Sequence, residues 1–153
     1  AALDRVSNAF GVIDTAKENA LIDEMIQLLA IRSAGVDIPV GALSGGNQQK
    51  VVIAKWLMRG PRIILLNDPT RGIDVGTKQE IYVLLRKLAD AGAAILFYST
   101  DYDELIGCCD RVLVFYDGSV RRELTGDGIT EHALVASALN IHEELPAMEG
   151  ARA

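Results

Sequence analysis

Leu43-Ser44-Gly45-Gly46-Asn47-Gln48-Gln49-Lys50, followed at once by a largely apolar run from Val51 to Met58, is the stretch whose reading decides the fold. Two adjacent glycines let the backbone bend and come close to a ligand, and no Cβ shields their N–H groups. A helix is expected from about Gly46 to Arg59, stopped by Gly60-Pro61, and apolar nearly all round, as in a helix buried on more than one side. Its first-turn amides have no intrahelical partner and the macrodipole adds positive potential, so Ser44, Gly45 and Gly46 suit an anion, phosphate above all. On glycine spacing alone, a Ser-capped helix behind a glycine turn is the simpler alternative.

Working outward from that loop, the N-terminal side carries Leu21, Ile22, Met25, Ile26, Leu28 and Leu29 at helical spacing, with charged and polar residues between them. The spacing predicts an amphipathic helix over about Asp14 to Ile31, ended by Gly35 and Pro39. On the C-terminal side, Ile63-Ile64-Leu65-Leu66 runs into Asn67-Asp68-Pro69-Thr70 and reads as a strand buried on both faces of a parallel sheet. Its polar C-terminal tip is where open α/β sheets place ligands. There follow a helix over Thr77 to Ala91 with Ile81, Leu84, Leu85 and Leu88 on its core face, and a second buried strand over Ala93 to Tyr98. A short helix is expected over Asp101 to Cys108, its Asp101, Asp103 and Glu104 an ordinary acidic helix start. A strand over Arg111 to Tyr116 then turns at Asp117-Gly118 into Ser119 to Leu124. The last helix is expected over Thr130 to Leu139, with a frayed tail over 140–153.

Composition narrows the function classes. No apolar run among the 153 residues approaches the roughly 18 that span a bilayer, which gives the expectation of a soluble chain. A formal net charge of −6 argues against a nucleic-acid partner, since phosphate backbones demand clustered Lys and Arg. The start, Ala1-Ala2-Leu3-Asp4, has neither a basic nor an apolar leader segment and is read as the start of an excised piece rather than a signal peptide. Cys108 and Cys109 are sequence neighbours, so a mutual disulfide is strained and free thiols in a reducing cytosol are expected. His132 and His142 stand on polar ground away from any metal-ligand spacing and are read as surface residues, whereas Trp56 is read as core or an inter-subdomain contact.

The complete octapeptide is more specific than its glycines. Leu43 to Lys50 resembles the signature motif of ATP-binding cassette (ABC) nucleotide-binding domains, in the variant seen in sugar-importer ATPases. Ile63 to Asp68 resembles the Walker B strand of the same family, with Asn67 where an Asp holds the Mg²⁺ water shell and Asp68 where a Glu polarises the attacking water. Asn67 offers an oxygen without charge, so its hold on a hard cation is weaker than a carboxylate's. Asp68 is one methylene short of Glu. Pro69-Thr70-Arg71-Gly72-Ile73-Asp74-Val75-Gly76 is similar to the family's D-loop segment, and the register of Phe97-Tyr98-Ser99 puts Thr100 at the switch position usually held by His. Thr can be neither a cation nor a proton shuttle. The resemblance runs from about Asp14 to Leu139, with residues 1–60 as helical and signature region and 61–139 as Walker B and switch core of a C-terminal part of such a domain.

The resemblance implies an α/β fold, a partial P-loop NTPase domain in which a helical subdomain joins a mostly parallel sheet flanked by helices. It also implies ATP and Mg²⁺ as the intact protein's cofactors. A P-loop needs a Gly-Lys pair, and none occurs in the sequence, so the P-loop strand is expected to be absent and the segment alone to be inactive. In the intact protein Ser44, Gly45, Gly46 and Gln48 would serve the nucleotide of a second nucleotide-binding domain, Asn67, Asp68 and Thr100 would line this domain's own weakened site, and Asp74 would sit at the dimer seam. The implied partners are membrane permease subunits and, indirectly, a periplasmic sugar-binding protein, with the ATPase cytoplasmic and peripheral on the inner face of the membrane. Without its P-loop strand the sheet has unpaired edges, which either re-pair directly across the gap or pair with a second molecule. The other readings are a non-transport ABC-type ATPase and a regulatory interaction module.

Overall fold

The amphipathic patterns before and after the glycine loop become helices whose ends are set by capping side chains. In the computed structural model, which describes residues 2–8 and 10–141, the chain divides into two units, Ala1–Tyr98 and Ser99–Ala153. The first unit opens with a single helical turn, α1 (Leu3–Val6), and a Ser7 to Ile13 bridge. Helix α2 (Thr15–Leu28) starts at Asp14, whose carboxylate accepts the Lys17 N–H at 3.2 Å. Helix α3 (Gly45–Leu57) starts at Ser44, β1 is Ile63–Asn67, α4 (Val75–Asp90) starts at Asp74, and β2 is Ala94–Tyr98.

β1 and β2 pair in parallel, Ile63 beside Ala94 through to Asn67 beside Tyr98. Side chains alternate across a strand. Ile64, Leu66, Ile95 and Phe97 therefore share one face, which packs on a core of Met25, Leu29, Ile53, Ala54, Leu57, Ile81, Leu84 and Leu85 from α2, α3 and α4. The other face differs from expectation. Ile63, Leu65, Leu96 and Tyr98 are 58–72% exposed, so both strands are buried on one face only, the face on which α2, α3 and α4 pack.

Helix α3 is likewise one-sided. Gly46, Lys50, Ile53, Ala54 and Leu57 are buried at helical spacing, while Val52 and Trp56 point outward. Trp56 is 58% exposed and is not a core residue; the Lys55 ammonium stands 5.4 Å from its ring centroid, a cation–π arrangement.

The second unit holds α5 (Tyr102–Cys108), β3 (Arg111–Tyr116), β4 (Ser119–Thr125) and α6 (Glu131–Ala138). β3 and β4 form an antiparallel hairpin, and Asp117 and Gly118 both adopt positive φ, 46° and 71°, as the tight turn requires. Val112, Val114, Leu124, Ile129 and Leu134 make its own small core. Asp101 caps α5, as expected of an acidic helix start, but Glu104 departs from that reading: it is buried, and the Ser99 hydroxyl donates to it at 2.6 Å. His132 is exposed. The expected tail begins at 140, and His142 with all that follows it lies outside the described residues.

Among the described residues β1 pairs with β2 within the first unit and β3 with β4 within the second. No helix among these residues is long and apolar enough to cross a membrane.

Candidate functional site

Ser44 sits in extended backbone (φ −61°, ψ 153°), and its carbonyl accepts the Gln48 N–H at 2.9 Å, which starts α3. Its side chain does not cap the helix. A Ser N-cap ordinarily takes up a first-turn amide; here those donors keep their outward potential, which suits an anion. Gly45 has open space on its side-chain side, with no atom within 4 Å of an added Cβ. Gly46 is different. A Cβ there would lie 2.7 Å from both Cγ2 and Oγ1 of Thr77, so this glycine is what lets α3 and the start of α4 approach. Gln48 donates its carboxamide N–H to the Leu43 carbonyl at 2.8 Å, bracing the loop from behind.

Asp74 is the N-cap of α4. Its two carboxylate oxygens accept from the Thr77 N–H (3.0 Å) and the Thr77 hydroxyl (2.8 Å), and the Thr77 amide is the main reason its pKa is lowered. Asp74 thus holds in place the residue that meets Gly46. The Asp-x-x-Thr spacing announces such a cap in the sequence, since a capping side chain reaches the amide three residues on.

Lys50, to which the sequence reading gives no role, is 3% exposed. It donates to the Ala30 carbonyl at 3.2 Å and forms an ion pair with Glu80 of α4, whose second carboxylate oxygen is 3.5 Å from Arg32. Lys almost never buries without a partner. Its place four residues after Gly46 and three before Ile53, on the buried stripe, is the signal that could have flagged it. The Lys50 hydrogen bond, with its charge, is the main reason the Glu80 pKa is lowered below the ordinary 4.5. A lowered folded-state pKa gives stability that is present above the unfolded value and lost as pH falls through the folded one. Resistance to urea should therefore decline as pH drops below about 4.5, and Glu80→Gln should flatten part of that decline; an unchanged pH profile in the variant would rule Glu80 out as a contributor.

At the end of β1, Asn67 lies on the uncovered face beside Tyr98, and Asp68 turns the chain with φ 42° while its N–H bonds to the Tyr98 carbonyl at 2.9 Å. Asp tolerates this left-handed region better than most residues. The two residues offer Mg²⁺ one carboxamide oxygen and one carboxylate, a donor set suited to assisting a metal held largely by nucleotide phosphates. The described residues contain no cluster of three His, Cys, Asp or Glu that could hold a metal by themselves. Thr100 is exposed and belongs to the second unit.

The comparisons agree with these elements. The family model described as ABC transporter matches residues 4–71, from α1 through α3 to the end of β1. The chain is 78% identical, along its whole length, to the ribose import ATP-binding protein RbsA 1 of Mesorhizobium japonicum, and 76% identical over 92% of its length to the protein of the same name from Rhizobium johnstonii. It spans only 30% and 27% of those two relatives. Among solved structures it is similar to the ATP-binding cassette MJ0796, a dimeric post-hydrolysis state bound to ADP and Pi, with a TM-score of 0.66 and 27% identity over 74% of this chain and 49% of that one. The cassette MJ1267, at 22% identity and TM-score 0.71 over 81% of this chain and 49% of that one, shares the fold.

Proposed function

We propose that this chain is part of an ABC transporter ATPase domain and that it energises carbohydrate import by presenting the start of α3 to a nucleotide held by a second nucleotide-binding domain. The observation that carries the reading is the open start of α3: a Ser N-cap that leaves its helix amides uncapped, next to Gly45 with empty space in front of it. Ser44 and the backbone of Gly45, Gly46 and Gln48 would receive phosphate oxygens. ATP supplies the free energy of transport when bound.

Asn67 and Asp68 would line this domain's own site, and Thr100, in the second unit, would stand at the switch position of the sequence motif. Asn67 would assist Mg²⁺ through its carboxamide oxygen, and Asp68 would orient water with a carboxylate one methylene short of Glu. That site is the weaker of the two. Asp74 would sit at the dimer seam, with its carboxylate held against α4 by the two bonds from Thr77. The dimeric state named for MJ0796 supports a two-domain arrangement. The substrate we infer is ribose, after the relatives' names, delivered by a periplasmic binding protein to membrane permease subunits on which the ATPase docks from the cytoplasm. Residues 1–60 and 61–139 would be the signature region and the Walker B and switch core of one domain, with further chain supplying the P-loop strand to the free sheet edge.

The test is ATP hydrolysis by the full-length protein assembled with its permease, with and without ribose-loaded binding protein. Stimulation by ribose and not by an unrelated sugar is the expected result. ATP turnover indifferent to any sugar would favour the non-transport ATPase instead.

A further inference from the structure

Asn47 has a carboxamide held at both ends. Its Oδ1 accepts the Arg32 backbone N–H at 2.9 Å, and because an N–H can be met only by an acceptor, this bond fixes which way the amide points. Nδ2 is thereby directed at the Ser44 Oγ, to which it donates at 2.9 Å. The tether is stiff, since the Lys50 ammonium also binds the Ala30 carbonyl and so ties the same segment to α3 at a second point. A hydroxyl that accepts from Asn47 has its own proton left to donate elsewhere. Ser44 is exposed and makes no cap bond to its helix.

We propose that Asn47 is a positioning residue: it occupies the acceptor side of the Ser44 hydroxyl and so turns the Ser44 proton outward, as a donor to a phosphate oxygen. This rests on the reading of the start of α3 as a phosphate cradle. Asn47→Asp keeps an acceptor for the Arg32 N–H but presents only an acceptor to Ser44. The Ser44 proton is then drawn inward, and a negative charge stands beside the anion. Asn47→Ala removes both bonds.

The experiment measures kcat for ATP in the full-length protein carrying Ser44→Ala, Asn47→Ala, Asn47→Asp, and Ser44→Ala with Asn47→Ala together. Ser44→Ala and Asn47→Ala should each lower kcat on the order of tenfold or more, as loss of an aimed donor does. Asn47→Asp, which retains the Arg32 tether and with it the local fold, should lose at least as much. The double variant should be no slower than Ser44→Ala alone, because Asn47 acts through the hydroxyl that is already gone. Losses that multiply in the double variant, or parent-like activity in either Asn47 variant, overturn the positioning role. Parent-like activity in Ser44→Ala overturns the phosphate cradle itself, which separates the two failures.

Discussion

Gly46→Val should lower the stability of the α3–α4 contact by about 1–3 kcal/mol, the usual cost of forcing extra carbon into a packed site. An added Cβ alone meets the Thr77 Cγ2 and Oγ1 at 2.7 Å and Cβ at 3.0 Å, before the two further methyls of valine are counted. Thr77 has little room to yield. Its amide and hydroxyl are both bound to Asp74, so displacing it opens the cap of α4 as well. The sequence marks Gly46 only as backbone suited to an anion; the structure adds a steric conflict between two helices. Urea denaturation of parent, Gly46→Val and Gly45→Ala checks it. Gly45→Ala, with nothing within 4 Å of its new methyl, should unfold near the parent midpoint, and Gly46→Val well below it. Equal midpoints for Gly46→Val and the parent would mean that Thr77 does not press on Gly46.

What was legible in the sequence was whatever a local pattern determines. The α2 and α4 stripes, the Asp117-Gly118 turn and the polar end of β1 each follow from spacing or from turn chemistry within a few residues. Coverage of an apolar face is not local. Ile63-Ile64-Leu65-Leu66 reads the same whether one face or both are packed, and only the position of the helices decides that Ile64 and Leu66 are covered while Ile63 and Leu65 are not. The all-round burial expected of α3 gives way for the same reason: its apolar residues, Val52 and Trp56 among them, outnumber the positions its neighbours cover. The octapeptide was legible as a motif, but the supports behind it were not. Arg32, Asn47 and Glu80 are 15 to 48 residues apart in the chain, and hydrogen bonds across such separations leave no periodic trace.

Ser44→Arg should abolish transport by the intact protein, whereas Asn67→Ala should leave it largely unchanged. The asymmetry follows from the two sites' chemistry. An arginine at the N-cap of α3 would fill the open space beside Gly45 and displace a phosphate from the uncapped amides, a misplacement that costs on the order of 100-fold in rate even when it is only an ångström. Asn67 contributes no charge to a metal, so in the proposed division of labour its removal takes away one weak oxygen from the weaker of the two sites. Both residues are exposed, and neither substitution disturbs the Met25, Ile53 and Ile81 core. Ribose uptake into vesicles reconstituted with the full-length protein, its permease and the binding protein measures both variants side by side, with expression matched. The account predicts no uptake above background for Ser44→Arg and near-parent uptake for Asn67→Ala; normal uptake by Ser44→Arg with loss in Asn67→Ala would contradict it.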